Sequence, residues 1–240
     1  EFASRMPTYY FNPGGESLVD NETKRLMASL ERPIAGDIPV LQVAGPELQR
    51  QMLERGKPNA VYIFSEWKPI TDRQADNLRA FDVLIAGSEW NAEVIREAGF
   101  RCYAVPQGVD RATFKPMPRI SSQDRFVIFS GGKWEHRKAQ DLVVRAVKIL
   151  QERHDDIVLM AAWFNIWDNK DYYKEARRDI PRMVGLTPCD QASLAMCMNQ
   201  SDVGLFPNRC EGGTNLVMME YLACGKPVIA NSSTGQRDVL

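Results

Sequence analysis

Apolar runs of four to six residues, too short for free-standing helices, recur along the chain and alternate with stretches of helical spacing. In the first half, Val61-Tyr62-Ile63-Phe64, Asp82-Val83-Leu84-Ile85-Ala86 and Cys102-Tyr103-Ala104-Val105 read as buried strands. Ser88 is placed to cap a helix that Gly99 closes. In the second half, Phe126-Val127-Ile128-Phe129, Ile157-Val158-Leu159-Met160-Ala161 and Asp202-Val203-Gly204-Leu205-Phe206-Pro207 repeat the strand pattern. Between them, residues Ala139 to Arg153 carry Leu142, Val143, Ala146, Val147 and Leu150 on one helical face. Thr187-Pro188-Cys189-Asp190 offers a cap, a proline at the first helical position and an acid at the third, predicting a helix over Gln191 to Met198. The alternation implies parallel α/β units.

Two strand-to-helix passages carry candidate chemistry. After the 202–207 strand, Asn208, Arg209 and the glycines must form a loop; Thr214 or Asn215 can cap the next helix. Gly225 suits its C-terminal turn, and Pro227 precedes another strand, Val228-Ile229-Ala230. The main chain of such a helix start favours an anion, and neighbouring glycines allow its oxygens close approach. Glu211 and Glu220 cannot bind a phosphate, so they read as acceptors for hydroxyl hydrogens, which a ribose and a hexose supply. The earlier passage, Ser130-Gly131-Gly132-Lys133-Trp134-Glu135-His136-Arg137-Lys138, reads as a glycine loop that supplies cations. Together they suggest two cradles for one diphosphate and hence a nucleotide-sugar.

The chain resembles the retaining glycosyltransferases of family 4, the glycosyl transferases group 1, over most of residues ~60 to 240. The resemblance rests on the Gly131-Gly132 loop ending in Arg137-Lys138, on Glu211-Gly212 followed by Glu220, and on Ala223-Cys224-Gly225-Lys226-Pro227-Val228-Ile229-Ala230. It implies the GT-B architecture: an α/β chain of two Rossmann-like parallel α/β/α domains facing a cleft, both incomplete here. By resemblance, Lys138 and Arg137 bind and stabilise the diphosphate, and Glu211 contacts the donor hexose; these three form the catalytic set. Gly131, Gly132, Lys133, Gly213, Thr214, Asn215 and Leu216 line the donor, and Glu220 takes the ribose hydroxyls. The implied reaction moves a sugar from a nucleotide-diphosphate sugar, such as a UDP- or GDP-sugar, to an acceptor hydroxyl with retention. The acceptor is a glycan, a lipid or a small molecule. No metal or other cofactor is expected, and the chain has no Asp-x-Asp pair.

Departures from the family pattern bear on activity. Eight residues separate Glu211 from Glu220, where the family has seven. Ala139 stands where a glycine usually follows the Arg-Lys pair, and Gly132 stands where many members carry an arginine. Only His136 and His154 are present, so the first half has no histidine to place beside donor and acceptor. A non-catalytic nucleotide-sugar-binding module derived from such an enzyme is therefore the alternative reading. An epimerase or a phosphorylase on a similar scaffold fits the 223–230 run less well.

Composition narrows the partners. With a formal net charge of −1 and 44% hydrophobic residues in 240, nothing suggests a nucleic-acid partner. Five cysteines without a C-x-x-C pair argue against a disulfide framework or a zinc site. No segment predicts a membrane span, a reading compatible with peripheral membrane association and a cytoplasmic location. Residues 1–5 read as an expression remnant, 6–115 as a reduced acceptor-side domain, and 116–240 as a truncated nucleotide-sugar-binding domain. The Pro- and Gly-rich stretch from Pro106 to Pro118 reads as the link. Asn12-Pro13-Gly14-Gly15 reads as a turn, with a functional glycine loop as the alternative, and Trp163, Phe164, Trp167, Tyr172 and Tyr173 as packing residues that a sugar or base could also use. Glu66 and Trp67 either face a ligand or anchor a loop.

Overall fold

The structure is a computed structural model that describes residues 21–30, 38–44, 47, 48, 56–120, 124–164 and 172–240. The 1–5 segment, the Asn12-Gly15 turn and Trp167 lie outside the described residues. The chain divides into two compact units, one of residues up to Ala86 with Ala92–Ala104, the other of Gly87–Asn91 with Val105–Leu240.

The first unit contains α1 (Asn21–Leu30), β1 (Val40–Val43), β2 (Asn59–Ile63), α2 (Asp72–Leu78), β3 (Val83–Ala86), most of α3 (Glu89–Glu97) and β4 (Cys102–Ala104). Its strands form one parallel sheet in the order β1-β2-β3-β4. Val61, Ile63, Leu78, Leu84, Ala92 and Ile95 make the core, which is why the apolar runs read as strands. Ser88 caps α3 as expected: its Oγ accepts the Asn91 N–H at 3.1 Å. Helix α2 is set by a capping box, with Thr71 Oγ1 accepting from Gln74 N at 3.2 Å and Thr71 N donating to Gln74 Oε1 at 3.0 Å. Trp67 is 61% exposed, and its backbone N–H donates to Ser65 Oγ at 3.3 Å.

The second unit contains β5 (Phe126–Lys133), a 3-10 turn (His136–Lys138), α4 (Gln140–Gln151), β6 (Ile157–Phe164), α5 (Tyr172–Asp179), β7 (Met183–Gly185), α6 (Gln191–Asn199), β8 (Val203–Phe206), α7 (Leu216–Ala223), β9 (Val228–Ala230) and a closing 3-10 stretch (Thr234–Val239). All five strands are parallel, in the order β7-β6-β5-β8-β9. The chain winds outward from β5 through β6 to β7, then returns to β8 on β5's other side. The boundary between β5 and β8 is therefore a topological switch point, where ligands of open α/β sheets bind beyond the strands' carboxyl ends.

Packing explains several differences from the sequence expectations. Ser130-Gly131-Gly132-Lys133 is not a loop but the last half of β5, because these residues pair in register with Ala161, Ala162, Trp163 and Phe164 of β6. The expected 139–153 helix is α4, entered through the 3-10 turn. Thr187 does not cap α6: Asp190 immediately precedes the first helical residue, and its carboxylate accepts the Ser193 N–H at 2.7 Å. Phe114, assigned by sequence to the first domain, is buried in the second unit's core with Phe129, Phe206, Met218 and Tyr221. Trp163 is a core residue whose Nε1 donates to Ser130 Oγ at 3.1 Å, while Phe164 is 41% exposed.

Candidate functional site

The site grows from the carboxyl ends of β5 and β8. At the end of β5, Gly132 has a φ of 123°, a conformation other residues adopt only with strain. A Cβ there would lie 3.7 Å from the Lys138 side chain, so backbone conformation, not space, calls for glycine. Gly131 meets a different demand: a Cβ on it would come within 2.8 Å of Val217 Cγ1, so the strand end lies close under the start of α7. The chain then turns through His136–Lys138, and Ala139 enters α4 at φ 58° with no side-chain cap. That left-handed geometry suits the glycine which the resemblance places there.

After β8 the second passage is built differently. Asn215 is the cap of α7, at φ 61°; its side chain accepts the Met218 N–H at 3.4 Å. Asparagine tolerates this conformation better than most residues, which decides between the two expected caps. Thr214 is fully buried, and its Oγ1 contacts Met219 Sδ at 2.8 Å. Gln236, also fully buried, holds the turn from below: its Oε1 accepts from Asn215 Nδ2 at 2.6 Å, and its Nε2 donates to Asn231 O at 2.8 Å and Phe206 O at 3.3 Å. Beneath α7, the Tyr221 ring stacks on Phe129 with centroids 5.1 Å apart, and its hydroxyl bonds Ser201 Oγ at 2.7 Å.

Charge converges between the two passages. Lys138 Nζ donates to Glu211 Oε1 at 2.5 Å and Arg137 Nη1 to Oε2 at 3.2 Å. Asn208 Nδ2 also donates to Oε1. Arg137 Nε lies 2.6 Å from a Glu135 carboxylate oxygen, and Lys133 Nζ 3.8 Å from the other. The Glu211 side chain is only 8% exposed. Its main chain is held at both polar groups: the N–H donates to Thr234 Oγ1 at 3.0 Å, and the carbonyl accepts from Gly235 N at 3.0 Å. Arg209 fastens the two passages together. Its guanidinium makes a two-pronged bond to Asp141 at 2.8 and 2.7 Å, and its backbone N–H reaches Arg137 O at 2.8 Å. Hydrogen bonding from Arg209 holds the Asp141 carboxyl below its ordinary range. Ser88, counted with this unit, donates to Gly212 O at 2.8 Å.

Glu220 contrasts with Glu211. It is half-buried on α7, and its carboxyl makes no hydrogen bond or ion pair among the described residues. Burial without a partner pushes that carboxyl up from 4.5 to about 7. The structure thus gathers Arg137, Lys138 and Glu211 into one cluster, reaches Lys133 through Glu135, and sets Gly213, Thr214, Asn215 and Leu216 at the helix start. The side chains of Thr214 and Asn215 face inward, so a ligand there would meet main chain. Sequence reasoning did not find Glu135, Asn208, Arg209, Thr234 or Gln236. Their polar types at loop positions fit solvated surface equally well, and only the fold brings them to the motif. His136 is exposed.

Two parallel sheets with helices and a site at the switch point of the second define the class of fold, the α/β architecture of the GT-B glycosyltransferases. Residues 124–240 match the model of the Glycosyl transferases group 1 family. Among curated proteins, the chain is similar to a phosphatidyl-myo-inositol mannosyltransferase of Mycobacterium leprae (strain TN), 26% identical over 154 residues that cover 63% of this chain and 40% of that protein. The chain therefore spans about two fifths of the length of that relative. Among solved structures, it resembles trehalose-6-phosphate synthase with a TM-score of 0.65 at 16% identity, covering 87% of this chain and 62% of the other. It also resembles Anabaena Alr3699/HepE in complex with UDP-glucose, with a TM-score of 0.62 at 17% identity, covering 76% and 56%. Among the described residues, no helix is long and apolar enough to cross a membrane.

Proposed function

We propose that the second unit binds a nucleotide-diphosphate sugar and that the protein transfers the sugar, with retention, to a hydroxyl of a glycan, lipid or small-molecule acceptor. The observation that carries this reading is the convergence of Lys138, Arg137, Glu211 and the start of α7 at the β5/β8 switch point. The diphosphate would lie between the Lys138–Arg137 turn and the main-chain N–H groups of Leu216 and Val217, which the Asn215 cap does not use. Glu220 would accept the ribose hydroxyls, and Glu211 those of the hexose. As the glycosidic bond to the diphosphate breaks, negative charge grows on the leaving phosphate, where the two cations and the helix start would stabilise it. These cations make a metal ion unnecessary in this reading.

The family match and the mannosyltransferase relative support glycosyl transfer, and the HepE complex supports UDP-glucose as a type of donor to try. A mannosyltransferase acting on phosphatidyl-myo-inositol among the relatives supports including lipid acceptors, reached by peripheral association from the cytoplasmic side. The test is calorimetric titration with UDP, GDP and their sugar conjugates, with and without magnesium, followed by turnover of the bound conjugate in radiolabelled form. Saturable, magnesium-independent binding and product formation or donor hydrolysis are expected. Binding without turnover under any acceptor would leave a binding module, and no binding would overturn the proposal.

A further inference from the structure

We propose that Glu211 is a built-in counter-ion, which a diphosphate must displace from Lys138 and Arg137 before the carboxylate can accept sugar hydroxyls. This rests on the proposed reading of the site as a nucleotide-sugar site and adds an order of events to it. The Glu211 carboxylate is not waiting for a ligand: one oxygen takes Lys138 Nζ at 2.5 Å and Asn208 Nδ2, the other takes Arg137 Nη1 at 3.2 Å. A carboxylate offers roughly four lone-pair sites, so little acceptor capacity remains for a sugar. The cations are equally committed, for the Lys138 side chain is only 11% exposed and the Arg137 side chain 20%. In this state an acid occupies the cations that a phosphate would use.

The geometry says what can move. Main-chain bonds to Thr234 and Gly235 hold Glu211 at its N–H and carbonyl, so only its side chain is free to rotate. Lysine is a point charge on a flexible stem and can follow a new anion, whereas Asn208 can keep one carboxylate oxygen. A diphosphate carries more charge and more acceptor oxygens than a carboxylate, so exchange at Lys138 favours the ligand. Once exchanged, Glu211 is left beside the ligand with free lone pairs and a single amide donor. Recognition of the sugar by Glu211 thus becomes conditional on the diphosphate, which disfavours capture of free monosaccharide.

The experiment is titration of wild type, Glu211→Gln, and the double variant Lys138→Met with Glu211→Gln, using inorganic pyrophosphate at constant ionic strength. Glutamine keeps the shape and the Asn208 contact but removes the competing charge. Glu211→Gln should bind pyrophosphate about tenfold more tightly than wild type, and the double variant should lose that gain. Equal or weaker binding by Glu211→Gln, with wild type binding normally, overturns the counter-ion and leaves the nucleotide-sugar reading standing. If none of the three binds pyrophosphate or any nucleotide, that reading falls too. Should Glu211→Gln not fold, carboxyl-13C glutamate NMR of the wild type decides: the Glu211 signal should shift when pyrophosphate is added, and an unmoved signal overturns the proposal.

Discussion

The two strand-to-helix passages of the second unit leave neighbouring parallel strands for the same region, yet they reach their helices by different means. The β5 passage enters α4 at Ala139 without a side-chain cap, and its charges, Lys133, Glu135, Arg137 and Lys138, are its distinguishing feature. The β8 passage enters α7 through Asn215, whose amide is locked to buried Gln236, and its helix is apolar apart from Glu220. One passage carries charge on a strained backbone; the other presents main chain from a braced one. The difference teaches that the site separates two tasks. In the proposed site, movable side chains would handle ligand charge on one side, and a fixed main-chain surface would receive it on the other.

Replacing the brace should have the largest effect. Asn215→Ala loses the cap, puts alanine in left-handed backbone and leaves the buried Gln236 oxygen without its donor. It should destabilise the protein by about 2–4 kcal/mol in denaturant unfolding. A cost below about 1 kcal/mol would mean that the β8 passage is not braced as described.

On the other side, Lys138→Met should leave the fold in place but weaken nucleotide-diphosphate binding by about 2–3 kcal/mol, measured by calorimetry. Equal affinity would remove charge from the β5 passage's role.

Glu220 sharpens the comparison through pH. Glu220→Gln should weaken nucleotide-sugar binding by about 1–3 kcal/mol. In wild type, affinity for a sugar conjugate should rise as pH climbs towards about 7, because an ionised carboxylate accepts hydroxyl hydrogens; the variant's profile should be flat. Stability runs the other way. The folded protein holds this proton up to about 7 and the unfolded chain only to about 4.5, so the Glu220 contribution falls as pH rises between those values. A wild-type binding profile that is flat across that window would take Glu220 out of the site.

The smallest effect is expected at Ala139. Ala139→Gly relieves left-handed strain at φ 58° but adds freedom to the unfolded chain, so it should stabilise by at most about 1 kcal/mol, read as a small rise in the unfolding midpoint. A clear loss of stability would show that the buried methyl packs better than the strain costs.

These passages also show how far a sequence can be read. Strands β5, β6 and β8 and helix α7 were legible because short apolar runs punctuated by Gly and Pro fit few elements besides buried strands and the helices that cover them. Arg137, Lys138 and Glu211, which the family pattern singles out, lie together in the fold. The Gly131-Gly132 pair misled, since local chemistry favours a turn while pairing with β6 keeps it in the strand. Helix α2, with a single leucine in seven residues, and the short strands β1 and β7 offered no periodicity. Asn208, Thr234 and Gln236 were invisible for a different reason. Each acts across 3 to 30 residues of chain through a hydrogen bond that only the folded register creates.

Joint binding of one diphosphate by both passages is what the proposed site requires. It is tested most directly by NMR of the isotope-labelled chain during titration with the nucleotide-sugar that calorimetry selects. The amide signals of Leu216 and Val217 and the side-chain signals of Lys138 should move together, with one dissociation constant. Shifts confined to one passage, or absent from both while the ligand binds, would contradict the account.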